Sequence, residues 1–265
     1  MMQLRYDPYK NFTTSATPVG LYARQKWLGQ EGDKDWQFTF DNTVASLLED
    51  QLQEGSWGNS FIHTVHRLFG LHLTVRHPTD YINRALDWLL NQTKHADEHK
   101  KLVLADLHGL PFVPGNPYFL YTGMALFLAT TFGRGSTPEV IALYQELLKH
   151  ILHNASSWDN YGDINNILRA FVVHPEFAKS AATMLIVEGM SKIQENSGMW
   201  TNSLPFYQTV NALAHLNLPP AESQLEKAFP LLARTQNSDG TWGDAEKEWN
   251  TFLIVHAMRN KKILE

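Results

Sequence analysis

Cysteine is absent from all 265 residues, which removes disulfides, thiolate–zinc sites and thiol nucleophiles at once. Also absent is any apolar run approaching the roughly 20 residues of a membrane-spanning helix, and Met1-Met2-Gln3-Leu4-Arg5-Tyr6 lacks the apolar stretch of a secretory signal. No membrane span and a cytoplasmic location are therefore expected. Basic residues are few and scattered: 22 Lys and Arg against 27 Asp and Glu leave a net charge of −5. A phosphate-binding surface needs clustered cations, so no nucleic acid partner is expected. Charged residues make up only 18% of the chain and hydrophobic ones 43%. That composition can bury a large core, and one domain over 1–265 is expected.

What the chain does have is a period. Gln-x3-Gly-x-Trp is complete at Gln51…Gly55…Trp57, Gln194…Gly198…Trp200 and Gln236…Gly240…Trp242. Trp158, Trp200 and Trp242 follow one another at intervals of 42 residues, although the Trp158 copy carries Leu152 and Ser156 in place of Gln and Gly. Gln51 and Gln92 are 41 apart, whereas Gln92 to Leu152 is 60, so about 18 residues are inserted within His95–Asn116. Self-similarity at such a period marks stacked supersecondary units.

Each unit reads as two helices around a glycine turn. Stretches before the Gln are amphipathic, as in Ile82, Ala85, Leu86, Leu89 and Leu90; those after the Trp are apolar on several faces, as in Trp249–Met258. Thr79-Asp80 and Ser136-Thr137-Pro138 fit N-terminal caps, and Pro175 and Pro219-Pro220 precede helices. Outer helices are expected near 43–53, 79–93, 137–153, 176–194 and 221–236, with inner partners near 59–73, 117–132, 161–173, 203–217 and 247–260. Thr17–Gly29 supplies a sixth inner helix. The last helix is too apolar to cap an open solenoid, so packing of the first helix against the last should close a ring. The expected fold is all-α, a single α/α toroid with inner helices around a central cavity.

Lys227–Trp242, with its aliphatic run ahead of Gln236-x3-Gly240-x-Trp242, and the shorter match Arg84-Ala85 before Gln92 resemble the QW repeat of the squalene cyclase and protein prenyltransferase β-subunit superfamily. The resemblance covers about 40 to 260. It implies an α/α toroid, repeat residues that brace neighbouring hairpins, and a terpenoid cyclase or isomerase acting on an isoprenoid or other apolar substrate. Fold alone does not carry function. The cyclases that protonate an alkene use Asp-x-Asp-Asp, which this chain lacks; the magnesium motif fails for want of an adjacent Asp pair, and the prenyltransferase zinc site for want of Cys. No metal and no cofactor are expected.

An acid aimed into an apolar cavity therefore has to be non-standard. Asp163, on an inner helix ahead of Asn165, Asn166 and Arg169, is the first candidate, with Asp159 and Glu248 beside repeat tryptophans, although acids at a helix start also serve as caps. His63 and His66, three apart with Arg67 alongside, suit a base or an anion clamp. Tyr121, Tyr207 and Trp249 are the aromatic candidates for the substrate wall, together with Phe127 and Phe252. His95 and His99 have metal-like spacing but read better as a solvated turn, and His150 and His153 as charges at a helix end. The insertion ends Leu110-Pro111-Phe112-Val113-Pro114, apolar and stiffened as a lid or binding loop would be. Two other readings stand beside the enzyme: a non-catalytic toroid that binds a lipid or a protein partner, and a carbohydrate-active barrel, which would need paired carboxylates on inner helices.

Overall fold

A computed structural model describes residues 4–154, 160–201 and 204–264. Among these, eleven α-helices form and no strand does. They are α1 (Pro18–Lys26), α2 (Lys34–Leu48), α3 (Phe61–Thr74), α4 (Asp80–Gln92), α5 (Pro117–Ala129), α6 (Pro138–His153), α7 (Tyr161–Phe171), α8 (Ala181–Lys192), α9 (Phe206–Ala214), α10 (Pro219–Arg234) and α11 (Lys247–Asn260). The odd-numbered helices make an inner ring, each packing on the next, and α1 packs on both α3 and α11 so that the ring closes. The even-numbered helices lie outside. The fold is the α/α toroid expected from the period. Its main departure is α2, which begins nine residues before the expected 43 because Trp36 is buried in its first turns.

Apolar coverage decides which ring a helix joins. In α5, every residue from Leu120 to Ala129 is buried, whereas α4 buries only Ile82, Ala85, Leu86, Leu89 and Leu90 along one face. Caps fix where helices begin: the hydroxyls of Thr17, Ser60, Thr79 and Ser180 and the side-chain carbonyls of Asn116 and Asn160 accept from backbone N–H groups of the first turn.

The Gln-x3-Gly-x-Trp stretches act as braces. The Gln51 amide donates to Gly55 O (2.9 Å) and to Tyr81 O (2.8 Å) in α4. Gln194 repeats this with Gly198 O (3.1 Å) and Gln224 O (2.9 Å) in α10. The brace therefore reaches the next outer helix, because the Gln follows the end of an outer helix and its neighbour in that layer is the nearest backbone. Glycine is required twice over. Gly198 has φ +95°, and a Cβ there would stand 2.3 Å from Lys227 O; at Gly55, φ is +107° and the clash is with Arg84 O at 2.3 Å.

The third copy closes the seam. Among the described residues there is no sixth outer helix, and the segment before α1 takes that place: Gln236 donates to Gly240 O (3.1 Å) and Tyr6 O (3.0 Å), and Tyr6 N donates back to its Oε1 (3.1 Å). Gly240 (φ +87°) sits against Asp7 O. The Trp158 copy lies outside the described residues.

The insertion runs through short turns at Thr93–Glu98 and Leu104–Leu107 and crosses the N-terminal ends of the inner helices. Leu107, Leu110, Phe112 and Val113 are buried there. Gly109 N donates to Glu246 (2.9 Å), Asn166 bonds both N and O of Val113 (3.0 and 2.9 Å), and Tyr121 donates to Lys100 O (3.0 Å). One mouth of the ring is plugged.

Gly198→Ala should destabilise the protein by at least about 2 kcal/mol in urea unfolding, since a left-handed residue and a backbone clash coincide. Gly29→Ala, also at positive φ (+66°) but with nothing within 4 Å, should cost only about 1 kcal/mol. Equal losses would mean that the approach to α10 is not what demands glycine. Gln236→Ala leaves Tyr6 N and O without their partner and should speed proteolytic cleavage ahead of α1, with little change at other sites.

Candidate functional site

With the N-terminal mouth plugged, the ring keeps a cavity of about 260 Å³ toward the C-terminal ends of the inner helices. All six inner helices reach it, and Pro111 of the insertion lines its inner end. Tyr22, Phe69, Phe127, Trp249 and Phe252 supply aromatic surface. Trp249 stacks on Phe252 (centroids 5.7 Å, 14°), Phe252 stacks on Trp27 (5.2 Å, 26°), and Phe69 meets Trp249 edge-on (5.8 Å). These contacts fix the rings, so the wall is preformed.

The polar part of the wall is basic. Arg169 is 2% exposed; its guanidinium donates to Asn211 Oδ1 (2.8 Å) and Gln208 O (2.6 Å), and Nε has no partner. None of the ion pairs among the described residues involves it, and no carboxylate among those residues lines the cavity. Burial lowers its pKa to about 9, which leaves it charged at neutral pH. Asn211 is oriented by donating to Leu253 O (2.9 Å), with a longer contact to His256 Nδ1 (3.5 Å).

His72, His215 and His256 complete this wall. Burial first, and neighbouring positive charge second, lower His72 and His256 to about 4 and His215 well below its ordinary value. At neutral pH they are uncharged. Where Asn211 and Asn260 approach Nδ1 of His256 and His215 (3.5 and 3.4 Å), the ring proton is assigned to Nε2. The Trp249 indole N–H and His72 Nδ1 are buried without partners.

Of the residues singled out in the sequence, Trp249 lines this cavity, as do Phe127 and Phe252. The others lie elsewhere. Asp163 is half-buried in the first turn of α7, accepting from Asn116 N (2.7 Å); burial raises its pKa and that hydrogen bond partly opposes the rise. It precedes Arg169 by six residues, about 9 Å along the helix axis. Glu248 receives the hydroxyls of Ser15 and Thr17 (3.0 Å for the latter), tying α11 to the start of α1. His63, His66 and Arg67 do come together, but in a hollow with Asp50 and Trp57 rather than in the central cavity. His66 contacts Asp106 O (2.9 Å) because the insertion occupies the axis at that level. Glu248, His66 and Trp249 share a further hollow beside Gly109. Tyr121 stacks on His99 (4.6 Å, 6°), away from the central cavity, and Tyr207 is half-buried near Gly243. Asp159 lies outside the described residues. Among the described residues no group of three His, Asp or Glu could hold a metal ion.

The basic residues of the wall escaped sequence reading, although a signal for them was present. Phe127, Arg169, Asn211 and Leu253 follow one another at the same 42-residue interval as the tryptophans, as do Thr131, Val173 and His215, and all seven line the cavity. The period thus runs through the cavity wall as well as through the braces.

No family model matches this sequence, and no curated protein matches it. Among solved structures, a protein from Actinoplanes aligns over 95% of this chain and 90% of its own with a TM-score of 0.59 at 16% identity, a likeness of fold alone. The type II terpene cyclase MstE from Scytonema, solved with geranylgeranyl dihydroxybenzoate, aligns over 93% of this chain and 99% of its own, but at a TM-score of 0.30 and 12% identity, too low to carry an argument.

The half-buried histidines of the cavity wall make stability depend on pH. Their folded pKa values lie below the unfolded value of about 6.5, so the unfolded chain takes up protons first. Stability should be full above that pH and be lost as pH falls toward about 4. Urea unfolding at stepped pH should show this, and His72→Gln should flatten part of the decline; a curve level across the interval would contradict the neutral, half-buried imidazoles.

Proposed function

We propose that the toroid binds a short isoprenoid, or an apolar molecule of similar size, in the central cavity. The observation that carries this reading is a preformed cavity on the ring axis, walled by Tyr22, Phe69, Phe127, Trp249 and Phe252. The resemblance of the repeats to those of isoprenoid-handling toroids supports the substrate class. Volume limits the size: an apolar cavity of about 150 Å³ accepts benzene, so 260 Å³ suits a ligand of about ten carbons. Squalene-length chains are too large for it.

On this reading the wall favours binding over acid-initiated cyclisation, since no carboxylate among the described residues lines the cavity. A second reading keeps the enzyme: the raised pKa of Asp163 suits a proton donor, and aromatic faces stabilise positive charge. It requires a ligand that reaches past the Pro111–Val113 segment to α7's first turn.

Geraniol at about 100 times its Kd should stabilise the protein by about 2.7 kcal/mol and raise Tm by about 5 °C or more. Val173→Trp, at the rim, should abolish that shift while leaving the circular dichroism spectrum unchanged. No shift with geraniol, citronellol or their acids would overturn the isoprenoid reading. Product formation lost in Asp163→Asn, with binding kept, would establish the enzyme over the binding protein.

A further inference from the structure

The charge of the cavity runs against that of the protein. The chain carries −5 overall, yet among the described residues the ionisable side chains lining its central cavity are Arg169, Arg76, Tyr22 and three histidines, with no Asp or Glu. A buried guanidinium is normally matched by a carboxylate, since isolated burial of a charge is unfavourable. Arg169 instead meets two neutral oxygens, Asn211 Oδ1 at 2.8 Å and Gln208 O at 2.6 Å, and its Nε is buried and free.

We propose that the ligand itself supplies the missing counter-charge: the central cavity holds the carboxylate of a short apolar acid against Arg169. This rests on the apolar-ligand reading given above and assigns the chemistry of the ligand's polar end. The geometry is specific in three respects. Asn211, held by Leu253 O (2.9 Å), fixes the guanidinium plane and leaves Nε without a hydrogen-bond partner. The indole N–H of Trp249, whose side chain lines the same cavity, is likewise a buried neutral donor without a partner. The half-buried Arg76, whose guanidinium lies 5.4 Å over the Tyr22 ring, places a second positive charge at the rim and favours entry of anions over neutral molecules.

A carboxylate fits better than a phosphate ester on charge and on size. One buried guanidinium neutralises one negative charge, whereas a diphosphate would bring more charge than the interior offers. In a cavity of 260 Å³, phosphate groups would also displace most of the apolar chain. The apolar tail then lies on the aromatic wall, and the acid end faces α7 and α9.

Isothermal titration at neutral pH separates the possibilities. Geranic acid should bind at least about 10-fold more tightly than geraniol, the value of one hydrogen bond to a charged group. Arg169→Gln should remove that preference by weakening geranic acid at least about 10-fold more than geraniol; Arg169→Lys, which keeps the charge, should retain part of it. Equal binding of acid and alcohol, a preference that survives Arg169→Gln, or tight binding of geranyl phosphate with none of geranic acid would each overturn the carboxylate site. Decanoic acid and decanol separate the two claims. Arg169-dependent binding of decanoic acid with no binding of either geranyl compound would sink the isoprenoid reading and uphold the anion site, while geraniol and geranic acid binding alike would do the reverse. If unliganded Arg169→Gln fails to fold, the wild-type comparison of acid with alcohol still decides the matter.

Discussion

A glutamine amide shared between two carbonyls, one in its own turn and one in the next outer helix, is the contact on which the ring depends. It can form only if the turn backbone lies against that helix, and the approach is so close that a Cβ at Gly55 or Gly198 would overlap a carbonyl oxygen. Glutamine, glycine and left-handed backbone are therefore one device. Made at Gln51, Gln194 and Gln236, it fastens the turn of one hairpin to the backbone of its neighbour in the outer layer. At the seam Gln236 makes the same contact with Tyr6, so the segment before α1 stands where a next outer helix would.

A closed ring of inner helices leaves an axis, and the way the axis is filled determines what the protein can do. At the N-terminal end the insertion fills it with Leu107, Leu110 and Phe112 and satisfies its own backbone through Asn166, Glu246 and Asp163. Asp163, an acid that suggests chemistry when read along the chain, is thereby occupied, together with Glu246, in holding the plug. Toward the other end the side chains do not meet, and a basic, aromatic cavity remains. A guanidinium without an acid and imidazoles kept neutral by burial are unfavourable for stability alone, and a bound anion would relieve that cost.

Much of this was legible without coordinates. The helix pairs, the ring closure through Thr17–Gly29 and the inserted 95–116 segment follow from apolar periodicity and from repeat spacing, and the bracing role of Gln-x3-Gly-x-Trp is what the resemblance to the QW repeat implies. The candidate site was legible only in part. Trp249, Phe127 and Phe252 were identifiable as inner-helix aromatics, but Tyr121 and Tyr207 share that description and lie elsewhere, because an inner helix has several buried faces and periodicity does not say which one meets the axis. The 42-residue relation among Phe127, Arg169, Asn211 and Leu253 could have told them apart, since equivalent positions in successive repeats take equivalent radial directions.

The sequence by itself determined the element types, their order, the period and the residues that fasten one repeat to the next, since helix propensity, capping and glycine turns act over a few residues. Only the tertiary structure decided which mouth of the ring is plugged, that the paired His63 and His66 face a side hollow, and that Arg169 is buried beside three neutral histidines with no carboxylate. Those outcomes depend on where a loop crosses an axis built by six separate helices, and on the removal of water from between them, neither of which is encoded in any local stretch of the chain.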